Sequence, residues 1–418
     1  MPYLPRIVDS ELAHLLEAHG AVVIEGPKAC GKTETARQRA GSEVLLDIDR
    51  NAQQAAAVDP ALILPGDHPR LIDEWQVEPA IWNYIRREVD KENQPGMFIL
   101  TGSAVPPDDA TRHTGAGRFG RLRMRPMSLA EANVSSKQIS LAGVLAGEQS
   151  HSPDPELSIH DLIDEVLRGG WPGLRGLDLR AATRAIRGYL DQIRRTDISA
   201  VDGVRRDPER VLLTMRSLAR HTATQAKLTN IARDASGADA RVTDDTVAGY
   251  LRALARLMVV EDQPAWSPHL RSTYQLREGP TRHFVDPSLA AAAMRATSES
   301  LLADLKTFGL LFESLVIRDL RVYGQGLGGE VTHYRDSSGL EVDAIVTAED
   351  GSWAAFEVRL GATQAILDAA AANLVRFAGR VDTGKRGQPA ALAVIVGTGY
   401  GYVRPDGIHV IPIGTLAP

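Results

Sequence analysis

The sequence predicts an α/β protein in which a parallel β-sheet domain comes first, helical modules follow, and a second α/β domain lies last in the 418 residues. Three observations support this fold class. A glycine-rich loop separates a short apolar strand from a helix near the start of the chain. Apolar strands and amphipathic helices then alternate, which is the pattern of a parallel sheet. A later group of strands carries acidic residues at close spacing.

The glycine-rich loop fits the pattern G-x-x-x-x-G-K-[ST], and it runs Gly26, Pro27, Lys28, Ala29, Cys30, Gly31, Lys32 and Thr33. The two glycines let the backbone curl so that successive N–H groups point at phosphate oxygens. Lys32 is expected to reach the β- and γ-phosphates, and the Thr33 hydroxyl is expected to ligate Mg²⁺. The strand before the loop and the helix after it disfavour a chance glycine-rich turn. The loop therefore predicts ATP and Mg²⁺ as cofactors, with all eight residues binding the nucleotide.

Further strands are predicted after the first one, at residues 44–48, 70–76, 97–103 and, on an edge of the sheet, 119–127. Helices are predicted from Asp9 or Ser10 to Gly20 and over residues 33–40, 51–58 and 78–89. Ligands of such sheets bind beyond the carboxyl ends of the strands. The loop and the polar residues that end the later strands fall at that edge.

Asp73 and Glu74 end the third predicted strand. We expect Asp73 to hold the Mg²⁺ shell and Glu74 to orient or deprotonate the attacking water. The alternative is a solvated strand end, which the position after a phosphate-binding loop disfavours. Thr101 or Ser103, on the next strand, is expected to sense the γ-phosphate or the water. One arginine of the following segment is expected to act across a subunit boundary; the candidates are Arg112, Arg118, Arg121, Arg123 and Arg125.

Composition restricts the class of protein. The net charge of −6 gives no global basic field for nucleic acid, so such binding has to be local. A single cysteine excludes a disulfide framework and fits a reducing compartment. Residues 1–10 contain no apolar segment typical of a signal peptide, and no run approaches the ~20 apolar residues of a membrane span. The cytoplasm is the predicted location, with no membrane partner.

The middle of the chain has three predicted parts. Residues 132–154 are polar and are predicted as a linker. Residues 155–205 are predicted as helices that form a lid over the nucleotide, with simple helical packing as the alternative. Residues 206–290 follow a helix–helix–helix–strand pattern typical of a winged helix. Its third helix begins with Asp244 and Asp245, which disfavour phosphate contact, so protein contact and DNA binding both stay open.

The last part of the chain carries spaced carboxylates. A helix over residues 308–322 bears Glu313, a strand over 339–346 bears Asp343, and a strand over 353–360 bears Glu357 and Arg359. Residues two apart on a strand share a face, and a short turn at residues 349–351 is expected to bring the two strands together. Converging carboxylates repel one another unless a cation holds them, which predicts a divalent metal at Asp343 and Glu357. The alternative keeps the carboxylates apart, with Glu357 paired to Arg335 or Arg359.

Six blocks carry a resemblance to a known family. They are G-P-K-A-C-G-K-T (26–33), L-I-D-E-W-Q (71–76), F-I-L-T-G-S-A (98–104), G-R-F (117–119), R-P-M-S-L-A-E (125–131) and G-G-W-P (169–172). Their order resembles that of a large group of prokaryotic AAA-type ATPases whose C-terminal domain resembles PD-(D/E)XK nucleases. The resemblance implies a P-loop domain at 1–135, a helical lid at 155–205, a winged helix at 206–290 and a nuclease-like domain at 300–418. It also implies Ser103 as the sensor and Arg118 as the arginine finger.

The nuclease pattern that the resemblance implies is E…D…E-x-K, matched by Glu313, Asp343, Glu357 and, with a departure, Arg359. In that chemistry two carboxylates hold Mg²⁺ and the lysine activates water. Arginine stays charged and cannot act as a base, although it can bind phosphate. Cleavage is therefore left open.

The hypothesis that follows is a Mg²⁺-dependent AAA-type protein that binds and hydrolyses ATP, and whose nucleotide state controls a nuclease-like, nucleic-acid-directed domain. One alternative is a nucleotide-switched protein-interaction module with an inactive nuclease fold. The other is a winged-helix DNA-binding regulator. The predicted partners are nucleic acid, DNA before RNA, and further copies of the chain.

Overall fold

The computed structural model describes residues 3–103, 115–236, 242–267 and 279–418. The chain forms two compact units. The first comprises Met1–Pro126, Thr196–Arg205 and Arg252–Val259, and the second comprises Met127–Arg195, Arg206–Leu251 and Val260–Pro418. Each unit has its own β-sheet. None of the helices in these described ranges is long and apolar enough to cross a bilayer.

The first unit contains a five-stranded parallel sheet in the order β2-β3-β4-β1-β5. Its strands are β1 (Ala21–Glu25), β2 (Ser42–Leu45), β3 (Arg70–Asp73), β4 (Phe98–Gly102) and β5 (Phe119–Arg123). β1 and β4 are almost wholly buried, as expected for parallel strands covered by helices on both faces. β5 lies at an edge, which confirms the expectation from the sequence.

Helices of the first unit cover Val8–Ala18, Lys32–Arg37, Arg50–Val58 and Ile81–Glu92. A local signal explains where Arg50–Val58 begins: the Asp49 carboxylate accepts hydrogen bonds from the backbone N–H groups of Asn51 and Ala52, both at 3.0 Å. The apolar faces pack on the sheet around Trp75, Trp82 and Phe98. Trp82 also stacks on Phe119, with ring centroids 4.0 Å apart.

The third strand is shorter than the sequence predicts. β3 ends at Asp73, and Glu74 takes a left-handed conformation with φ of 52°. A 3₁₀ turn, Trp75–Val77, follows. The predicted strand over 70–76 was therefore wrong beyond Asp73, because the chain turns sharply at Glu74 and cannot continue the ladder.

The second unit contains a six-stranded mixed sheet in the order β11-β12-β10-β9-β8-β7. Its strands are β7 (Glu330–Arg335), β8 (Glu341–Thr347), β9 (Trp353–Arg359), β10 (Ala391–Val396), β11 (Tyr402–Val403) and β12 (His409–Pro412). β7, β8 and β9 are antiparallel neighbours, whereas β9, β10 and β12 are parallel. The helices Leu305–Gln325 and Gln364–Ala378 pack on this sheet.

The segment predicted as a linker, residues 132–154, is partly folded, so that prediction was wrong. It contains β6 (Ile139–Ser140) and the helix Leu141–Leu145. β6 pairs in parallel with β13 (Leu416–Ala417), and the Ser135 hydroxyl donates to the Leu416 carbonyl at 2.8 Å. The polar composition of the segment hides this pairing, because its partner lies about 280 residues away in sequence.

Further helices cover Ile159–Arg168, Leu179–Gln192, Ile198–Ala200, Pro208–Arg220, Leu228–Ala235, Asp244–Arg256, Pro287–Met294, Ser298–Ala303 and Thr383–Arg386. After the helix that ends at Arg256, isolated bridges pair Val260 with Phe284 and Gln263 with Thr281. This order matches the predicted helix–helix–helix–strand pattern. The assignment as a winged helix stays a prediction, and so does the role of Ile159–Arg168 and Leu179–Gln192 as a lid.

Candidate functional site

The loop after β1 has a backbone that only small or glycine residues allow. Gly31 has φ of 106° and Ala29 has φ of 63°, so both turn the chain through the left-handed region. A Cβ on Gly26 would lie 2.4 Å from the Met124 carbonyl oxygen, which leaves room only for glycine. These turns produce the curled loop that the sequence predicts.

Lys32, which begins the helix after the loop, folds over the loop backbone. Its ammonium donates to the carbonyl oxygens of Gly26 and Pro27, each at 3.0 Å. The residue is buried, so the charge is held in a fixed place at the loop. A fixed ammonium at this point can balance the charge of a bound phosphate.

Asp73 accepts hydrogen bonds from one hydroxyl of the neighbouring strand β4 and one hydroxyl at the end of the loop. Its Oδ1 accepts a hydrogen bond from Thr33 Oγ1 at 2.9 Å and another from Thr101 Oγ1. This grouping follows from the sheet order, because β4 lies between β3 and β1. Hydroxyl and carboxylate oxygens are the ligands that Mg²⁺ prefers, so Thr33 and Asp73 fit a magnesium ion held with nucleotide.

Glu74 belongs to a separate hydrogen-bond group. Its Oε2 accepts from Ser103 Oγ at 3.2 Å and from the Gln76 side-chain amide. The left-handed turn at Glu74 directs its carboxylate away from the partners of Asp73 and into this group. The two sensor candidates thus have different partners: Thr101 contacts Asp73 and Ser103 contacts Glu74. No sequence pattern points to Gln76, because its contact with Glu74 depends on the turn at Glu74.

Two residues near the start of the described chain contact the loop or the helix after it, and no sequence pattern points to either. The Arg6 guanidinium donates to the Cys30 carbonyl and to the Arg125 carbonyl, both at 2.8 Å. The Tyr3 hydroxyl donates to Asp9 at 2.6 Å and shares a 3.0 Å hydrogen bond with Thr35. Burial, with the Asp9 hydrogen bond, raises the pKa of Tyr3, so the hydroxyl keeps its proton.

Lys28 lies inside the loop but binds a carboxylate from far along the chain. Its ammonium is 2.8 Å from Asp197 Oδ1, and the two residues are 169 positions apart. Asp197 ends a π-helical turn, Ile193–Asp197. π-helical turns are rare and often occur at functional sites.

Arg118 lies at the amino end of β1, whereas the loop lies at its carboxyl end. Its carbonyl accepts from Ala21 N–H at 3.2 Å, at the start of β1, whereas the loop follows the end of β1. β1 has five residues, which separates the two positions by ~16 Å. The side chain pairs with Asp90 at 2.8 Å. Arg118 is therefore too far away to serve the loop of its own chain, and a role on a neighbouring subunit stays a prediction. Arg112 lies outside the described residues.

The carboxylates of the second unit gather around Arg359. Pairing of Ala344 with Phe356 brings Asp343 beside Glu357, as the predicted hairpin requires. Asp343 Oδ2 accepts from Val358 N–H at 2.8 Å and from Arg359 Nη1 at 3.0 Å. Glu357 pairs with Arg359 Nη2 and also accepts from Asn373 at 2.6 Å. One guanidinium thus bridges both strands.

Crowding changes the protonation of this cluster. Burial, and then the charge of Asp343, raise the pKa of Glu357 to about 8 although Arg359 opposes the shift. Burial, with the charge of Asp343, also raises the pKa of Glu313 well above its usual value. Burial likewise raises the pKa of Asp343. The charges of Asp343 and Glu357 both act on Glu313, so Glu313 does not lie apart from them.

The residues of this cluster do not fit a second metal ion in the arrangement seen. Within the described residues, no group of three or more His, Cys, Asp or Glu side chains is placed to hold a metal. Arg359 supplies the cation that the converging carboxylates require. The alternative pairing of Glu357 with Arg359 is the one observed, whereas a metal at Asp343 and Glu357 stays a prediction that this geometry does not favour.

Two of the sequence blocks donate hydrogen bonds to a network of buried charges in the second unit. Arg318 pairs with Asp286 at 2.9 Å and with Asp319 at 2.7 Å. Asp319 accepts from the Leu129 N–H, and Asp286 accepts from the Gly170 N–H, both at 3.0 Å. The blocks at 125–131 and 169–172 are thereby anchored to the helix Leu305–Gln325. Their role in the structure is to hold the unit together.

Comparison with protein families divides the chain into three parts. The model of an AAA domain matches residues 18–133. A domain of unknown function (DUF8612) matches residues 159–300, and another (DUF4143) matches residues 308–416. The first match covers the parallel sheet and the loop. The other two cover most of the second unit.

Individual similar proteins add little about activity. Uncharacterized proteins of Mycobacterium bovis and Mycobacterium tuberculosis are each 23% identical to this chain over 321 residues. The match covers 75% of this chain and 65% of theirs. A solved structure, the Walker-type ATPase of Pyrococcus abyssi, is 15% identical with a TM-score of 0.43, covering 70% of this chain and 96% of that one. Over residues 18–133 the chain is therefore similar to AAA domains, and the loop geometry within this range agrees with a phosphate-binding loop.

Proposed function

We propose that the protein binds ATP with Mg²⁺ at residues 26–33 and hydrolyses it. The observation that carries this proposal is the grouping of Thr33, Asp73 and Thr101 beside the separate pair of Glu74 and Ser103. The first group provides magnesium ligands and the second provides a base. The AAA domain match to residues 18–133 supports the same activity.

Each side chain has a distinct task in this proposal. Lys32 balances charge on the phosphates, and the loop N–H groups hold their oxygens. Thr33 and Asp73 would hold Mg²⁺, which would neutralise phosphate charge. Glu74 orients the attacking water and takes its proton, while Ser103 and Gln76 keep the Glu74 carboxylate in position.

Two substitutions test the ATPase proposal. Lys32→Ala should weaken ATP binding, because the phosphate charge loses its partner. Glu74→Gln should keep ATP binding and lose turnover, because the amide cannot accept a proton. Calorimetry measures the first effect and phosphate release the second. Turnover by Glu74→Gln at the wild-type rate would show that the catalytic assignment is wrong.

For the second unit, we propose a nucleotide-switched protein-interaction module. Its nuclease-like site does not cleave nucleic acid. The observation that favours this alternative over a nucleic-acid-directed nuclease is the double ion pair of Arg359 with Asp343 and Glu357. A guanidinium between the carboxylates takes the place of a metal and cannot act as a base. A DNA-binding regulator has less support, because Asp244 and Asp245 begin the third helix of the winged-helix candidate.

The cleavage question has a direct test. Purified protein is incubated with DNA or RNA in Mg²⁺ or Mn²⁺, with wild type and Asp343→Ala compared. We expect no cutting by either protein. Cutting by wild type that is lost in Asp343→Ala would overturn the proposal of an inactive site. It would support the nuclease-like assignment of Glu313, Asp343, Glu357 and Arg359.

A further inference from the structure

We propose that Asp197 is a positioning residue that competes with the nucleotide phosphates for Lys28. Nucleotide binding in the loop would thereby be coupled to the π-helical turn Ile193–Asp197. This inference rests on the proposed ATP site. It concerns a residue far outside the sequence motifs, and it assigns a regulatory contact to that site.

Asp197 is the anion that competes with the phosphates for Lys28. Lys28 and Asp197 form an ion pair of 2.8 Å, in which the Asp197 side chain is 9% exposed and the Lys28 side chain is 48% exposed. Lys28 stands between Gly26 and Gly31, in the loop that would surround the phosphates. Its flexible side chain is thus within reach of both anions, whereas the buried carboxylate is fixed.

The charges of the two anions determine that nucleotide binding weakens the Lys28–Asp197 pair. While the ammonium is paired with Asp197, it contributes less to phosphate binding. A triphosphate carries more negative charge than one carboxylate, so a bound nucleotide draws Lys28 toward the loop. Asp197 is then left buried with a weakened partner, which disfavours its present position.

The π-helical turn can change its hydrogen bonding when Lys28 moves away from Asp197. Such a turn contains one residue more than an α-helical turn, so its hydrogen bonds can shift to regular α-helical ones. The loss of Lys28 as a close partner acts on the end of this turn, where Asp197 stands. Because coupling between two sites is reciprocal, a change in the turn must in return alter nucleotide affinity.

The test is a double-mutant cycle on nucleotide binding. Mg²⁺-ATP and Mg²⁺-ADP affinities are measured by calorimetry for wild type, Asp197→Asn, Lys28→Ala and the double variant. Asp197→Asn should tighten ATP binding by about fivefold, the lower end of typical coupling, because Lys28 is released to the phosphates. Lys28→Ala should weaken binding. In the Lys28→Ala background, Asp197→Asn should change the affinity by less than about twofold.

Controls separate the pair from other effects. Asp197→Glu keeps the charge and should leave the affinity near that of wild type. Asp382→Asn removes a similar carboxylate–lysine pair, Asp382 with Lys385 at 2.9 Å, and should leave ATP affinity unchanged. If Asp197→Asn does not fold, Asp197→Ser replaces it and should tighten ATP binding in the same way, because it too lacks the carboxylate.

The following results would contradict the inference or the proposed function. An unchanged affinity in Asp197→Asn, or in Asp197→Ser where that variant replaces it, overturns the inference. An equal effect of Asp197→Asn with and without Lys28 also overturns it, because Asp197 would then act on the phosphates directly. If wild type and Lys32→Ala both fail to bind ATP, the proposed function itself falls. ATP binding by wild type without coupling removes the inference alone.

Discussion

At the residue scale, two adjacent carboxylates have separate partners. Asp73 is held by Thr33 and Thr101, whereas Glu74 is held by Ser103 and Gln76. The left-handed backbone at Glu74 produces this separation. In the proposed function Asp73 serves the metal and Glu74 serves the water, so the two tasks should respond to different substitutions.

We expect Thr101→Val and Ser103→Ala to have different kinetic effects. Thr101→Val removes a hydrogen bond to Asp73, a loss of ~1 kcal/mol, and should raise the Mg²⁺ concentration needed for half-maximal hydrolysis by about fivefold. Ser103→Ala should lower kcat by about tenfold, because Glu74 loses a positioning donor. Phosphate release is measured across a Mg²⁺ titration. Equal shifts in the Mg²⁺ requirement of both variants would contradict the separation.

The acidic cluster around Arg359 predicts a pH-dependent stability. The pKa of Glu357 is about 8 in the folded protein, against 4.5 for an ordinary glutamate. The folded state therefore binds the proton more tightly, so the free energy of unfolding should fall as the pH rises from about 4.5 to about 8. The fall is at most ~1.4 kcal/mol per pH unit for this group. Urea unfolding at several pH values measures it.

Glu357→Gln should reduce this slope, because the amide does not titrate. The reduction should be partial, since Glu313 and Asp343 also have raised pKa values. Glu330→Gln, at an exposed position at the start of β7, is the matched control and should keep the wild-type slope. A slope that is the same in Glu357→Gln and wild type would show that Glu357 titrates normally.

At the element scale, the helix Leu305–Gln325 organises the second unit through its buried charges. Arg318 joins Asp286 and Asp319, and these carboxylates also accept the backbone N–H groups of Leu129 and Gly170. Burial raises the pKa of Asp319, although Arg318 opposes that rise. The guanidinium is thus needed to keep two buried carboxylates paired.

Arg318→Ala should destabilise the protein by ~3–5 kcal/mol, the usual effect of breaking a buried ion pair on one side. The comparison is Arg184→Ala, at an exposed position of the helix Leu179–Gln192, which should change stability by less than ~0.5 kcal/mol. Urea unfolding followed by circular dichroism measures both. A loss of less than ~1 kcal/mol in Arg318→Ala would contradict the proposed role of the network.

Elements were predictable from sequence where the signal is local. β4 is a continuous apolar run that lies within a residue of the strand predicted over 97–103. β6 and β13 have two residues each and exist only through their mutual pairing, so local pattern could not reveal them. The loop and Asp73 were predictable for the same local reason. Arg6 and Asp197 were not, because distant chain segments bring them to the loop.

At the scale of the whole molecule, Arg118 raises the question of assembly. It lies at the amino ends of β5 and β1, whereas the loop lies at the carboxyl end of β1. Its side chain pairs with Asp90. An arginine there can act on nucleotide only in another copy of the chain. If it does so, ATP turnover per chain should rise with protein concentration, as copies associate.

Mixing two inactive variants tests this role. Arg118→Ala retains the loop, and Lys32→Ala retains Arg118, so each variant alone should hydrolyse ATP at least tenfold more slowly than wild type. In an equal mixture, half the chains have an intact loop and half of their neighbours supply Arg118. Turnover should therefore recover to about a quarter of the wild-type value if subunits exchange freely. Asp90→Asn, which removes the ion-pair partner and keeps the guanidinium, should remain active. Full activity in Arg118→Ala alone, or turnover per wild-type chain that does not change with concentration, would exclude a finger acting between subunits.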